Sequence, residues 1–344
     1  MYTPPFTITS EILHLVSEIS EQVGAISVHL GKGMPSPMLR KENQIKTIHS
    51  SLAIEHNSLS LAQVTDIIEG KHVLGAPNEI QEVKNALQAY QLMFQLDAFK
   101  EKDLLKAHRL MMKDLMNNAG RYRSDGVGVF NGDQCIHMAP PAQRVPILMG
   151  ELFEWVSTTD THPLVSSCVF HYELEFIHPF ADGNGRMGRY WQTVLLSRWK
   201  GLFAWLPVET IVKEHQQEYY DAIAKCDAKG DSTDFIAFML QCLHDAVARS
   251  IKDGVAENVA ENLDEKFESQ FGNEFGVKYG VKFGVNEKKV LLLLKENPNF
   301  TATEMALRVG ISKRGVEKQL KKFKELGIIT RQGSDKNGFW VINR

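Results

Sequence analysis

The chain has 344 residues, 43% of them hydrophobic and 24% charged, which is ordinary for a soluble globular protein of two or three domains. The longest purely apolar run, Val290 to Leu294, is far too short to cross a bilayer, and the net charge of −3 favours no class of partner. The four cysteines, Cys135, Cys168, Cys226 and Cys242, form no C-x-x-C pair, which is typical of a reducing compartment. Residues 1–5 do not begin a signal peptide, so we expect a cytoplasmic protein and no membrane association.

Apolar residues at helical spacing predict a largely helical N-terminal part. The predicted helices cover residues 8–25, 39–55, 61–68 and 79–99. The apolar stripe of the last one runs from Ile80 to Phe94, and we interpret it as core rather than as a binding groove. His108 lies on a further helix of this kind, where we interpret it as structural packing.

Residues 121–141 have a different pattern, with three glycines between two short β-prone pieces, 127–130 and 135–138. The turn Asn131-Gly132-Asp133 between these pieces predicts a β-hairpin. A simple surface hairpin is the plainest interpretation at this point.

Residues 178–189 read His-Pro-Phe-Ala-Asp-Gly-Asn-Gly-Arg-Met-Gly-Arg and concentrate groups that handle phosphate. Pro179 should end the helix predicted over 165–177, because the residue before a proline is pushed towards extended conformations. Helical spacing resumes at Arg186, so the glycine-rich turn precedes a helix N-terminus, which offers N–H donors to an anion. Arg186 and Arg189, three residues apart, share a face of that helix and add forked donors.

Two other interpretations of this stretch are weaker. Residues 183–188 fit the dinucleotide fingerprint G-x-G-x-x-G, but that fingerprint requires a preceding strand, and here a helix ends in His-Pro. His171, Glu175 and His178 are spaced like metal ligands on a helix, but no fourth ligand is evident, which argues against zinc. We interpret His171 and Glu175 instead as support for the site.

A further helix is predicted over 211–226, and after it a repeat of period four begins at Val255. Its later members are aromatic, and each of the last four is followed by a glycine, from Gly272 to Gly284. A period of four drifts by about 40° per step on an ideal helix, and glycine disfavours helix, so we predict a connector rather than one straight helix. A strip for self-association is the alternative, and a homodimer is left open.

Residues 286–344 carry 13 Lys and Arg against 6 Asp and Glu, a net charge of +7, which leaves −10 on the remainder. Helices are predicted over 287–296, 301–309 and 313–326, and strands over 328–331 and 339–342. This order resembles a winged helix-turn-helix domain with a basic recognition helix, which suits contact with the DNA backbone. A winged helix that docks on protein is the alternative.

Residues 178–189 also resemble, at every defined position, the Fic motif H-P-F-x-[DE]-G-N-G-R-x-x-R. Enzymes similar to this transfer a nucleotide monophosphate, usually AMP from ATP, to a hydroxyl of a protein side chain. The resemblance implies that His178 is the general base and that Asp182 holds Mg²⁺. It further implies that Arg186 neutralises the leaving pyrophosphate and that Arg189 holds the γ-phosphate. The implied nucleotide site comprises Asp182, Gly183, Asn184, Gly185, Arg186, Met187, Gly188 and Arg189.

A second resemblance lies upstream, where Ser51 and Glu55 fit the pattern [ST]-x-x-x-E-[GN] of an inhibitory segment found in many Fic proteins. The resemblance implies that Glu55 pairs with Arg189 and takes the place of the γ-phosphate. The chain departs from the pattern at His56, where Gly or Asn is usual.

The resemblance also assigns roles to the hairpin and to the helix over 211–226. The hairpin becomes a flap on which the target protein docks as an added strand. Tyr219 and Tyr220 match positions that flank the adenine, and Asp227 stands where Asn often lies near the base. The flap residues expected to face nucleotide and target are Cys135, Ile136, His137 and Met138.

We therefore predict a mostly α-helical protein, a Fic-fold helical bundle with a β-hairpin flap, followed by a small winged helix-turn-helix domain. The predicted parts are an N-terminal helical region, 1–100, a catalytic core, 101–250, a repeat linker, 251–285, and the winged helix, 286–344. The predicted function is an autoinhibited, Mg²⁺-dependent protein adenylyltransferase that modifies Tyr, Thr or Ser of a protein, including itself. The alternatives are a nucleotide-sensing DNA-binding regulator and an enzyme that removes AMP.

Overall fold

The computed structural model describes residues 2–29, 37–126, 128–131, 134–272, 275–333 and 338–343. The chain divides into two compact units, Met1–Ile251 and Lys252–Arg344, which are described separately. The finer division into four parts stays a prediction. Along the described residues, no helix combines the length and the apolar character that a membrane span requires.

The first unit is almost entirely helical, as predicted. Its helices are α1 Ser10–His29, α2 Pro37–Ile54, α3 Leu61–Ile68, α4 Pro77–Leu92, α5 Glu101–Met111, α6 Val145–Thr158, α7 Pro163–Ile177, α8 Asn184–Trp199, α9 Val208–Glu214, α10 Gln216–Lys229 and the first part of α11 Thr233–Phe271. Two strands, β1 Gly128–Asn131 and β2 Gln134–Met138, lie between α5 and α6.

Helices α7 and α8 form the centre of this unit. Nearly every residue of α7 is buried, because the helix is apolar around most of its circumference. On α8, Tyr190 and Trp191 are fully buried and donate to the carbonyl oxygens of Ala89 and Ala98. The loop that joins two such immobilised helices is itself held in place, and it is the loop that carries the motif.

The predicted hairpin is confirmed. β1 and β2 pair antiparallel, with Gly128 opposite Met138 and Asn131 opposite Gln134, and the register shifts between Val129 and Phe130. The side chains of the four predicted flap residues, Cys135, Ile136, His137 and Met138, lie outside what the structure describes.

Two predicted helix boundaries were wrong. The helix expected over 79–99 ends at Leu92 and continues as a 3₁₀ turn, Met93–Gln95, after which Leu96 adopts an extended backbone. The single helix expected over 211–226 is two helices, because His215 leaves helical dihedrals, with φ −112° and ψ 36°, between α9 and α10.

The second unit contains the winged helix predicted from the sequence. After the end of α11 come α12 Phe275–Lys278, α13 Val285–Glu296, α14 Ala302–Val309, α15 Lys313–Glu325, β3 Ile329–Gln332 and β4 Phe339–Ile342. β3 and β4 pair antiparallel as a wing. Thr301 and Glu304 form a capping box at the start of α14, and the Ser312 hydroxyl caps α15 by accepting from Gly315 N.

The period-four repeat is divided between two kinds of structure. Its first part is helical, since α11 extends to Phe271, while Gly272 and Gly280, with φ of 81° and 63°, break the helix in the glycine-rich part. Phe267, Phe275 and Phe283 are buried in the core of the second unit. The aromatic positions therefore pack within the C-terminal unit, whereas the sequence placed them in a connector.

Candidate active site

His178 ends α7 at the position that Pro179 predicted, but its backbone is left-handed, with φ 50° and ψ 59°, rather than extended. In this conformation its N–H still bonds to Leu174 O, which closes the last helical turn. Its ring Nδ1 lies 3.4 Å from the carbonyl oxygen of Glu175. Because a carbonyl only accepts, Nδ1 carries the proton in this contact and Nε2 keeps a lone pair for a substrate proton.

Arg123, which the sequence did not single out, fixes this helix end. The buried guanidinium donates to the carbonyls of Ile177 and His178, at 3.3 and 2.7 Å, and to those of Asp125 and Pro140, at 2.8 and 2.5 Å. Asp125 and Pro140 lie at the two ends of the hairpin segment, so one side chain links the base of the hairpin to the end of α7 at His178. A lone arginine in a loop has no periodic pattern that would reveal such a role.

His108 supports the motif loop from the opposite side. Its Nδ1 accepts from Gly120 N at 2.8 Å, so Nε2 is the protonated nitrogen and donates to Asp182 O at 3.0 Å. The ring stacks on Phe180, with centroids 3.7 Å apart, and burial lowers its pKa to about 4, which keeps it neutral. His108 therefore packs as predicted. It also supports the motif loop, which the sequence did not indicate.

The loop itself is closed by Asn184. This buried amide accepts from Phe180 N and donates to Phe180 O, both at 2.9 Å. Gly183 has a φ of 82°, and a Cβ there would lie 2.8 Å from Met112 Sδ, so only glycine fits. The side chain of Asn184 is thus committed to the loop, and the backbone at the N-terminus of α8 is what this turn offers to an anion.

Asp182 carries the carboxylate of the motif loop, and its side chain is 65% exposed to solvent. Its Oδ1 accepts from Gly183 N at 2.5 Å and from Arg186 Nη2 at 3.2 Å. No group of three or more His, Cys, Asp or Glu side chains in the described part of the chain is arranged to hold a metal ion. A single exposed carboxylate suits Mg²⁺ that arrives with phosphates, since Mg²⁺ usually keeps several waters and few protein ligands.

Arg186 is almost completely buried and has two carboxylate partners. Its Nη1 donates to Glu82 on α4 at 2.8 Å and its Nη2 to Asp182, while its Nε is buried without a partner among the described residues. Glu82 was not predicted as a site residue.

Arg189 is equally buried and faces the segment that the sequence identified as inhibitory. Its Nη2 donates to Glu55 Oε1 at 2.7 Å and to Ser51 O at 3.1 Å, and its Nε lies 3.3 Å from Ser51 Oγ. Within the described residues, its Nη1 has no partner. A Cβ on Gly185 would collide with the Glu55 carboxylate, so the glycine makes room for this contact.

The turn that presents Glu55 follows the end of α2. The N–H groups of Glu55 and Asn57 both bond to Leu52 O, and His56 between them has a left-handed φ of 67°. On the other side, Gln216 and Tyr220 of α10 donate to Ile54 O, at 3.0 and 3.2 Å. The left-handed backbone explains physically why Gly or Asn is favoured at the position of His56.

A buried polar group lies behind Arg189. The neutral His171 contacts Gln192 Oε1 at 2.7 Å and the Tyr219 hydroxyl at 3.1 Å, and burial lowers its pKa to about 3. Burial raises the pKa of Glu175 to about 7, against the opposing effect of Arg189. His171 and Glu175 therefore support the site, as the sequence analysis preferred, and a Cβ on Gly188 would collide with both.

The remaining predicted nucleotide residues differ in accessibility. Tyr219 is only 1% exposed and packs in the core, whereas the neighbouring Tyr220 is 41% exposed. Met187 is fully buried, so its side chain cannot face a nucleotide. Asp227 accepts from the Tyr172 hydroxyl at 2.8 Å. Of the two tyrosines, only Tyr220 is exposed.

Comparison with known proteins agrees with the fold and the motif. The Fic/DOC family matches residues 95–196, and a winged helix-turn-helix DNA-binding family matches residues 285–330. Proteins named protein adenylyltransferase Fic from Culex quinquefasciatus and Nematostella vectensis are 32% and 30% identical over 213 and 220 residues. These alignments cover 59% and 60% of this chain but only 40% and 49% of the relatives, so the chain spans about half the length of the curated relatives it matches.

Solved structures extend the similarity over both units. Fic-1 from C. elegans, at 21% identity, has a TM-score of 0.57 with 72% of each chain covered, which supports the fold. A Fic family protein from Desulfovibrio desulfuricans G20 is 41% identical, with a TM-score of 0.71, and the alignment covers 99% of this chain and 98% of that protein. With a relative matched at this identity along nearly its whole length, and with the motif loop built as described, the chain belongs to the Fic family.

Proposed function

We propose that the protein is an adenylyltransferase that moves AMP from ATP to a Ser, Thr or Tyr hydroxyl of a protein, including itself, and that Glu55 holds it inactive. The observation that carries this proposal is the motif loop, in which a histidine, an exposed carboxylate and two buried arginines lie within residues 178–189. The chain matches only part of the length of the adenylyltransferase relatives, so we propose their activity for this protein rather than assign it from them.

The arginines fit a polyphosphate. Arg186 Nε and Arg189 Nη1 are buried N–H donors without partners among the described residues, and an unpaired buried donor is costly unless a ligand accepts from it. The N-terminus of α8 adds backbone donors and the positive end of the helix dipole. These guanidinium and backbone donors support the proposal that the motif binds the β- and γ-phosphates of a nucleotide.

His178 would act as the base of the transfer. The target oxygen forms a bond to the α-phosphorus, the bond from that phosphorus to the bridging oxygen breaks, and the hydroxyl proton passes to Nε2 of His178. The leaving pyrophosphate takes the electron pair of the broken bond, and Arg186 stabilises its charge. Asp182 would hold Mg²⁺, which when bound supplies charge neutralisation at the phosphates.

Inhibition follows from competition for Arg189. The guanidinium is 2% exposed and its Nη2 donates to Glu55 at 2.7 Å, so the Glu55 carboxylate and a γ-phosphate would compete for the same buried charge. If Glu55 were displaced, the positive charge of Arg189 would be available to the γ-phosphate of the nucleotide. Removal of AMP is the alternative within the enzyme class, with Glu55 orienting a water.

Recognition of the target would use the hairpin. β1 and β2 form a two-stranded ribbon that can accept a target segment as an added strand, which requires little of the target's side chains. Tyr220, which is 41% exposed, is the tyrosine that we propose contacts adenine. A cytoplasmic location belongs to the same proposal and is supported by the free, buried thiols Cys168, Cys226 and Cys242.

A second candidate function, DNA binding, is favoured by α15. Val316, Leu320 and Phe323 are buried, while Arg314, Lys318 and Lys321 are exposed on the opposite face. A helix with a basic outer face beside a two-stranded wing is the geometry with which winged helices contact a duplex. We propose that this unit binds DNA, which would make the protein an enzyme with a regulatory or targeting module.

The enzymatic proposal is tested by incubating α-labelled ATP and Mg²⁺ with the purified protein and with a cell lysate. Wild type, Glu55→Gly, His178→Ala and the double variant Glu55→Gly/His178→Ala are run side by side. Label should appear or rise at least tenfold with Glu55→Gly, because Arg189 is released, and should vanish when His178→Ala is added to it. Unchanged label in the double variant would contradict the assignment of the base.

Failure of every variant to transfer label would contradict the transferase proposal and favour a nucleotide sensor. Release of AMP from a labelled protein by wild type, but not by Glu55→Gly, would support the removal reaction instead.

A further inference from the structure

Glu82 lies outside the motif and outside the inhibitory segment, yet it contacts both. Its Oε1 accepts from Arg186 Nη1 and its Oε2 from Asn57 Nδ2, each at 2.8 Å. Asn57 belongs to the turn that carries Glu55, since the N–H groups of both residues bond to Leu52 O. Each motif arginine thus has a glutamate partner, and the two glutamates are connected through one turn.

The two carboxylates on Arg186 are not equivalent. Asp182 is 65% exposed and is the group expected to hold Mg²⁺, whereas Glu82 is 20% exposed and both of its oxygens are bonded. Once Asp182 is committed to a metal, Glu82 is the carboxylate left to hold Arg186. A buried guanidinium with a fixed carboxylate on one edge can offer its remaining N–H groups to phosphate in one orientation.

We propose that Glu82 is a positioning residue, which orients Arg186 towards the β-phosphate of a bound triphosphate and couples that arginine to the Glu55 turn through Asn57. This rests on the proposed nucleotide site but goes beyond it, because it assigns a function to a residue of α4. Orientation of Arg186 affects a nucleotide that has a β-phosphate and leaves AMP, which has none, unaffected.

A simple charge effect would behave differently. Removing the negative charge beside Arg186 raises the local positive potential and strengthens the binding of any phosphate, AMP included. Loss of orientation instead weakens ATP alone. The selectivity between ATP and AMP therefore separates a positioning role from mere neutralisation.

The test uses the full chain carrying Glu55→Gly, so that nucleotide entry is unobstructed. Dissociation constants for ATP and AMP with Mg²⁺ are measured by calorimetry for this parent and after adding Glu82→Ala, Glu82→Gln or Glu79→Ala. Glu82→Ala should weaken ATP binding about tenfold and leave AMP binding within about twofold. Glu82→Gln should recover most of the loss, since its amide oxygen can still accept from Arg186.

Glu79→Ala is the matched control. Glu79 lies on the same helix and accepts from Ser58 N and Oγ, at 2.6 and 3.1 Å, but its side chain contacts no motif residue in the described structure. It should bind both nucleotides like the parent. Thermal unfolding of each variant checks that the fold is intact, and Glu82→Leu, which fills the same space but cannot accept from Arg186, takes the place of the alanine variant if that variant does not fold.

The inference would be overturned if Glu82→Ala bound ATP and AMP as tightly as the parent does. It would also be overturned if Glu82→Ala bound ATP more tightly than the parent. These outcomes are distinct from failure of the proposed function. If the parent binds ATP selectively but transfers no label, the transferase proposal fails, while the affinities still decide the role of Glu82.

Discussion

Two of the strained backbone positions lie at the proposed active site. Of the three described residues other than glycine with positive φ, His56 follows the carboxylate that pairs with Arg189, and His178 is the proposed base. A side chain in the left-handed region costs about 1 to 2 kcal/mol, which the surrounding hydrogen bonds must offset. At His178 these bonds come from Arg123, and at His56 from the bonds of its neighbours to Leu52 O.

We predict that His56→Asn strengthens inhibition. Asparagine adopts left-handed φ more readily than histidine, so the turn that presents Glu55 should gain up to about 1 kcal/mol. The melting temperature should rise by a few degrees, and basal AMP transfer by the otherwise wild-type protein should fall several-fold.

The control for this prediction is the pair Glu55→Gly and Glu55→Gly with His56→Asn. Without the carboxylate, the turn has nothing to present to Arg189, so the two should transfer label at equal rates. A further loss of transfer in the double variant would mean that His56 acts on the reaction by another route.

At the scale of elements, the C-terminal end of α7 and the two ends of the hairpin segment are joined by one guanidinium. Arg123→Ala should leave four carbonyls without their donor and destabilise the protein by about 2 to 4 kcal/mol, measured by denaturant unfolding. Arg123→Lys keeps the charge but not the fork, and a single ammonium cannot reach all four acceptors, so a smaller but clear loss is expected.

Arg121→Ala provides the comparison, because Arg121 is an exposed residue two positions away. It should unfold like wild type. If Arg123→Ala were equally stable, the link between the flap and the end of α7 would have no energetic importance.

At the scale of the whole molecule, charge is unevenly distributed along the chain. Residues 286–344 carry +7 and the remainder −10, and part of the basic charge is already paired, as between Lys322 and Glu287 at 2.7 Å. Arg314, Lys318 and Lys321 are exposed on the outer face of α15, although Lys321 lies 3.8 Å from Glu325, and contact of these residues with phosphate would release counterions from DNA.

We predict that the full chain retards duplex DNA at low salt and that alanine at Arg314, Lys318 and Lys321 weakens this binding at every sequence. The slope of log affinity against log salt should become shallower by about 2 to 3, close to one unit per lost phosphate contact. Gel retardation at several salt concentrations measures both quantities.

A variant with alanine at Lys41, Lys71 and Lys100 loses the same charge from the first unit and should keep the wild-type slope. Absence of retardation at low salt would favour docking of the winged helix on protein.

Much of the fold could be predicted from the sequence because its causes are local. The period of apolar residues located the helices, Pro179 ended α7, and the turn at 131–133 predicted the hairpin. Helix ends were less predictable. The break at His215 and the end of α4 at Leu92 depend on how the flanking helices pack, and no residue at either place breaks a helix by itself.

The sequence by itself determined the family resemblance, the motif and the pairing partner of Arg189, because a motif of twelve consecutive residues can be recognised without knowing what surrounds it. Only the tertiary structure decided which residues hold that loop. Arg123, His108 and Glu82 come from separate parts of the chain, and each holds the loop through hydrogen bonds to backbone carbonyls or to a guanidinium group. Such contacts leave no periodic pattern and no fixed spacing in the sequence. They form only once α4, α5, α7 and α8 have packed together.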